Sequence, residues 1–188
     1  MIKIAITGSL ASGKTTASKF LSNKRGPLFS ADKTVKDLYG KASFRSLISK
    51  KFNIKNDNQI KKNLKKLIFN NINNLKKLEK IIHPLVRKKM KHFTNKYKNK
   101  KTLFYEIPLL VESKLMKYFN VIIFIKSKKK IRFKRFKLKQ GDKKLFNLLD
   151  SKQFDDKKKV KFCDYVVVND KNIIILKKKL KAIIVNYE

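Results

Sequence analysis

Apolar positions along the chain fall into two patterns. Short apolar runs bounded by glycine or charged residues predict buried strands at Ile2 to Thr7, Leu28 to Ala31, Leu103 to Leu110, Val121 to Ile125 and Tyr165 to Val168. Helical spacing fills the intervals. Ala17, Phe20 and Leu21 place a helix over Lys14 to Asn23 that stops near Arg25, Gly26 and Pro27. From about Lys33 to Lys100 no strand is evident, and Leu64, Leu67, Ile68, Leu75, Leu78, Ile81 and Ile82 recur with helical period. A basic amphipathic segment from Lys128 to about Gln153 is broken at Gly141 and Asp142, which predicts two helices joined by a turn. After Asn172, the residues Ile173, Leu176, Leu180, Ile183 and Ile184 form one stripe of a closing helix, with Asp170 as its candidate cap.

Strands that alternate with helices predict an α/β fold around a mostly parallel, five-stranded sheet, with ligands outside the carboxyl ends of the strands. At 188 residues the chain is expected to form one unit. Segments 1–32, 101–126 and 160–188 supply the core, 33–100 a helical insert and 127–155 a basic helical segment. There is no internal repeat.

Composition adds a formal charge of +37, which raises the possibility of a nucleic-acid binder. Only Arg25, Arg45, Arg87, Arg132 and Arg135 are arginines, and the lysines are scattered with abundant Asn and Ile rather than gathered on one face. Codon bias accounts for that pattern, and no specific nucleic-acid partner is expected. No apolar run approaches the roughly 20 residues of a membrane span, and the opening MIKIAITG lacks the form of a signal peptide. The expectation is a cytoplasmic monomer with no membrane partner. The single cysteine, Cys163, has no disulfide partner and lies in an apolar stretch, where it reads as a small buried hydrophobe.

The candidate chemistry begins at Gly8-Ser9-Leu10-Ala11-Ser12-Gly13-Lys14-Thr15, a complete GxxxxGK[ST] motif between a predicted strand and a predicted helix. Its glycines allow a tight turn and close approach of backbone to phosphate, so that N–H groups and the helix N-terminus point at the anion. Lys14 is then placed for the β- and γ-phosphates of ATP, and Thr15 for Mg²⁺. The motif itself does not choose an acceptor. Asp32, at the end of the second predicted strand, has two readings: a base beside the attacking hydroxyl, or a cap for a helix starting near Lys33.

In its separated segments the chain resembles the dephospho-coenzyme A kinases. The resembling stretches are TGSLASGKTT, SADKTVKDLY, LIFNN, LEKIIHPLVR, EIPLLVES and CDYVVVND, which run in order from near the start to Asp170. The resemblance implies a P-loop kinase-like three-layer fold and transfer of the ATP γ-phosphoryl group to the ribose 3′-hydroxyl of dephospho-coenzyme A. It assigns the base role to Asp32, makes 33–100 the coenzyme A-binding insert and 127–155 a lid, and adds Thr16 and Asn169 to the nucleotide contacts. On the substrate side it points to His83, Arg87, Pro108, Leu109 and Glu112. Simpler readings stand beside these: Pro84 starts a new helix with His83 at its boundary, Leu109 and Leu110 pack, and Glu106 either supports a metal-bound water or is a partly exposed strand residue.

The lid departs from the family pattern of two arginines four residues apart, since Arg135 is followed by Lys139. Lysine lacks the planar fork of arginine, so the phosphate clamp is expected from Arg135 first, Lys139 second and Arg132 third. Phe133 and Phe136 read as a core-facing stripe. Ser9 and Ala11 replace family glycines at variable positions. The alternatives to a dephospho-coenzyme A kinase are a kinase for another small hydroxyl, a nucleic-acid-stimulated ATPase, and an ATP-binding regulator without turnover.

Overall fold

The computed structural model describes residues 1–187, which form two compact units: 1–30 with 96–187, and 31–95. The first is built on five parallel strands, β1 (Ile2–Gly8), β2 (Leu28–Ser30), β3 (Thr102–Glu106), β4 (Val121–Lys126) and β5 (Tyr165–Val168), in the order β2-β3-β1-β4-β5. The register pairs Ile6 with Glu106 on one side of β1 and with Ile123 on the other. Central strands buried on both faces must be apolar throughout, and Ile4, Ile6, Leu103, Phe104, Ile123, Phe124 and Ile125 are all fully enclosed.

Helix α1 (Lys14–Ser22) presents Ala17 and Leu21 to one face of this sheet, and the C-terminal helix α9 (Ile173–Ile184) presents Leu176, Leu180 and Ile184 to the same core. Each fully buried Leu or Ile side chain is worth about 1.5–3 kcal/mol relative to exposure. The α9 cap is Asn172, whose side chain accepts from the Ile175 N–H at 3.1 Å, and not Asp170. Asp170 instead accepts from Ser127 Oγ at 3.0 Å and Lys128 N at 2.9 Å, tying the exit of β4 to the exit of β5. Burial pushes the Asp170 carboxyl up, but these two hydrogen bonds and the Lys128 and Arg135 charges bring it below its ordinary value.

The basic segment forms α6 (Lys129–Lys137) and α7 (Lys143–Ser151), as its break at Gly141 predicts, followed by a short α8 (Asp156–Val160). Asp142 caps α7 by accepting from Leu145 N. Phe133 and Phe136 both stack edge-on against the buried Phe146, so the aromatic stripe is core. Gly141 is required there, since a Cβ would sit 2.1 Å from the Phe136 ring. Cys163 is partly exposed and not fully buried, and its thiol donates to the Lys159 carbonyl.

The second unit is all helical: α2 (Ala31–Gly40), α3 (Ala42–Phe52), α4 (Ile60–Asn70) and α5 (Asn73–Lys96), closed around Leu38, Phe44, Ile48, Ile60, Leu64, Leu78 and Ile82. Two local expectations change. Helix α2 begins at Ala31, so strand β2 ends at Ser30 and Asp32 is the second helical residue. Pro84 lies inside α5 and starts no new helix; it forgoes one backbone hydrogen bond while apolar residues on either side keep the helix packed.

Candidate active site

The loop from β1 to α1 takes its shape from two glycines. Gly8 has φ 147° and Gly13 has φ 102°, and both are closely approached: a Cβ at Gly8 would lie 2.3 Å from the Ile125 carbonyl oxygen, and one at Gly13 2.3 Å from Asn169 Nδ2. Ala11 also adopts a positive φ of 57° between them. Gly13 is the N-cap of α1, no side chain caps that end, and no acidic residue sits in the first turn. First-turn N–H groups have no intrahelical partner, so this end of α1 presents donors and a partial positive charge to an anion. Ser12 Oγ is buried without a hydrogen-bond partner among the described residues, a further polar atom within the cradle. The residues present therefore fit a nucleotide triphosphate.

Lys14 is buried, with Nζ donating to Ser9 O at 2.8 Å, so the ammonium is folded over the loop. Thr15 Oγ1 donates to Glu106 Oε1. Glu106 is 2 % exposed at the carboxyl end of β3, and not partly exposed. A hydroxyl beside a carboxylate is a hard-oxygen pair suited to Mg²⁺, which keeps several waters and takes phosphate oxygens as further ligands. No group of three or more His, Cys, Asp or Glu side chains suited to a metal occurs among the described residues. Thr16 is exposed on the first turn of α1.

Carbonyls of the loop are held by Asn169, just after β5, and by the basic segment. Asn169 Nδ2 donates to Ser12 O at 2.8 Å, and Arg135 Nη1 reaches the same oxygen and Ser127 Oγ, each at 3.3 Å. Arg132 is 7 % exposed and more deeply engaged: it donates to Leu10 O at 3.2 Å and Ser127 O at 3.1 Å and pairs with Asp150. Leu10 N donates to Gln153 Oε1 at 3.1 Å, and Ser9 Oγ donates to Asp156 Oδ1.

Gly8 to Thr15, Asn169 and Arg135 are thus brought together. Lys139 lies exposed in the turn after α6. Pro108 and Leu109 are half-buried just beyond β3, with Pro108 O accepting from Thr7 Oγ1 at 3.2 Å, while Leu110 packs in the core. Glu112, expected beside the acceptor, has its carboxylate on Lys159 Nζ at 2.7 Å and on the Phe154 N–H at 3.0 Å. Asp32 sits in the first turn of α2, where the helix dipole favours a carboxylate, and His83 and Arg87 lie one turn apart on α5. Gln153, Asp156 and Lys159 went unnoticed in the sequence, since a glutamine and two charged residues in a lysine-rich stretch carry no periodic signal.

The family model described as dephospho-CoA kinase matches residues 2–174. The chain belongs to the dephospho-CoA kinase family. Among its relatives, the dephospho-CoA kinase of Bartonella quintana is 34% identical over 188 residues, covering 97% of this chain and 96% of that protein. That of Fusobacterium nucleatum is 33% identical, covering 95% and 94%. Of the solved structures, dephospho-CoA kinase from Campylobacter jejuni superposes with a TM-score of 0.68 at 26% identity, over 98% of this chain and 96% of that one. TT1252 from Thermus thermophilus shares the fold with a TM-score of 0.81 at 22% identity, over 100% and 98%. The protein is therefore a P-loop kinase of coenzyme A biosynthesis that phosphorylates dephospho-CoA, and the family implies ATP as donor, typically with Mg²⁺. Among the described residues no helix is long and apolar enough to cross a membrane.

Proposed function

We propose that this dephospho-CoA kinase transfers the γ-phosphoryl group of ATP to the ribose 3′-hydroxyl of dephospho-CoA, using Asp32 as the base. The observation that carries the donor half is the cradle: two positive-φ glycines in close contact with Ile125 and Asn169, at a helix end that has no side-chain cap. Phosphoryl transfer asks chiefly for positioning and charge neutralisation. The backbone of Ser9 to Thr16 wraps the phosphates, with the N–H groups after Leu10 donating to them, Lys14 leaves Ser9 O for the β- and γ-oxygens, and Asn169 holds the loop at Ser12 O. Thr15, with Glu106 behind it, would hold Mg²⁺, which when bound supplies positive charge to the phosphate oxygens. Asp32 accepts the proton of the attacking hydroxyl as the new O–P bond forms and the bond to the β-phosphate oxygen breaks, with ADP leaving. Arg135, and after it Lys139, bring the positive charge of the lid to the transferring group. His83, Arg87, Pro108 and Leu109 contact the acceptor. The protein works as a cytoplasmic monomer.

A coupled assay with Mg·ATP tests this, comparing dephospho-CoA with adenosine, AMP and a short RNA and locating the new phosphate by mass spectrometry. Product at the ribose 3′-position of dephospho-CoA alone is expected. Phosphate at another position, or turnover confined to another acceptor, would overturn the reading.

A further inference from the structure

Linked to the phosphate cradle through Gln153 is a fully buried cation that the transfer chemistry does not use. Lys159 on α8 is 0% exposed, and its Nζ touches two oxygens: Glu112 Oε1 at 2.7 Å and Gln153 Oε1 at 3.3 Å. A buried ammonium is tolerated only where it is paired and hydrogen-bonded. Its partners have consequences on both sides. Glu112 Oε1 also accepts the Phe154 N–H, which fixes the backbone next to Gln153, whereas Glu112 Oε2 is buried without a hydrogen-bond partner. The whole carboxylate therefore depends on a single oxygen and on Lys159.

Gln153 Oε1 faces two donors at once, Lys159 Nζ and the Leu10 N–H at 3.1 Å. An amide flipped to present Nε2 would confront both, so the side chain has one allowed orientation. Three residues further on, Asp156 accepts from Ser9 Oγ. The short stretch 153–159 consequently grips the cradle at two successive residues, Ser9 and Leu10.

Resting on the reading that Gly8 to Thr15 bind the ATP phosphates, we propose that Lys159 and Gln153 are positioning residues of the cradle. Lys159 aims the Gln153 amide oxygen at the Leu10 N–H. That bond holds the loop backbone in the conformation from which the following N–H groups meet the phosphates. Glu112 belongs to this support and acts through Lys159. A loop whose interior carries Leu10, Ala11 and Ser12, with Ala11 held at positive φ, gains its shape from such external bonds.

The test is calorimetric titration of Mg·ATP and, separately, of dephospho-CoA on the wild type, Gln153→Leu, Gln153→Glu, Lys159→Met and the double variant Lys159→Met with Gln153→Leu. Gln153→Leu removes the acceptor at a half-buried site and is the variant that keeps the question open if Lys159→Met fails to fold. It is expected to weaken Mg·ATP about tenfold, the scale of one hydrogen bond, with dephospho-CoA binding unchanged within about twofold. Gln153→Glu retains the acceptor and restores Mg·ATP affinity. Residues that act through one another are not additive, so the double variant binds Mg·ATP about tenfold and not about a hundredfold weaker. Wild-type affinity for Mg·ATP in Gln153→Leu, or full additivity in the double variant, would overturn the positioning role. A wild-type chain that bound no Mg·ATP would instead remove the cradle reading itself.

Discussion

Substituting alanine for Gly13 joins the fold to the site in a way that can be calculated. The residue sits at φ 102°, where a side chain costs about 1–2 kcal/mol. Its new Cβ would lie 2.3 Å from Asn169 Nδ2, so Asn169 must swing away and give up its 2.8 Å bond to Ser12 O. Losing that bond from a residue 7 % exposed adds about 1–2 kcal/mol. Gly13→Ala is therefore expected to lower stability by about 2–4 kcal/mol. Asn169→Ala removes the same bond without the strain and is expected to cost about 1–2 kcal/mol, since Arg135 still donates to Ser12 O. In the double variant the clash has no partner, so the total returns to about 2–4 kcal/mol, no worse than Gly13→Ala alone. Urea unfolding of the wild type and three variants measures this. A double variant whose loss equals the sum of the two single losses would refute the assigned clash, and near-wild-type stability of Gly13→Ala would refute the backbone reading as well.

Other outcomes follow from single features. Asp32→Asn should leave Mg·ATP binding intact in a titration while lowering kcat about a hundredfold or more, the contribution of a positioned base; near-normal turnover would remove Asp32 from that role. Thr15→Ala should raise the Mg²⁺ concentration needed for half-maximal rate, and because it takes a donor from the enclosed Glu106 carboxylate it should also lower the urea midpoint by about 1–3 kcal/mol of stability. Arg132→Met should destabilise the protein by about 1–3 kcal/mol because it leaves Asp150 with only the exposed Lys129 at 3.5 Å, and adding Asp150→Leu should recover part of that loss in the same unfolding assay. Burial, with the Asp164 charge beside it, pushes the Cys163 thiol from 9.0 up to about 12, despite Lys159. At pH 8 the native protein should then react with a thiol reagent about a thousandfold more slowly than the unfolded chain, whose thiol keeps its ordinary value. Because the native thiol holds its proton longer, this contribution to stability is complete below pH 9 and is lost as pH rises toward 12.

The parts of the molecule legible in the sequence were those set by local rules. Runs such as Val121 to Ile125 are too short and too uniformly apolar for anything but enclosed strands, and the spacing of Leu176, Leu180 and Ile184 admits only one face toward the core. The two glycines of the cradle and the lysine between them and Thr15 announce phosphate chemistry because few other arrangements bring backbone N–H groups so close to an anion. Where tertiary partners compete, local rules lost their grip. Asp170 is a good cap by type, yet it is claimed by Ser127 and Lys128 across the sheet, leaving the cap to Asn172. Pro84 signals a helix start, yet burial of Leu78 and Ile82 on one continuous face outweighs the bond it lacks. The order of the five strands, the placing of Glu106 against Thr15 and the burial of Lys159 between Glu112 and Gln153 are matters of long-range proximity. No spacing along a chain of scattered lysines distinguishes Lys159, which folds inward, because what selects it is the pair of oxygens waiting there in the folded protein.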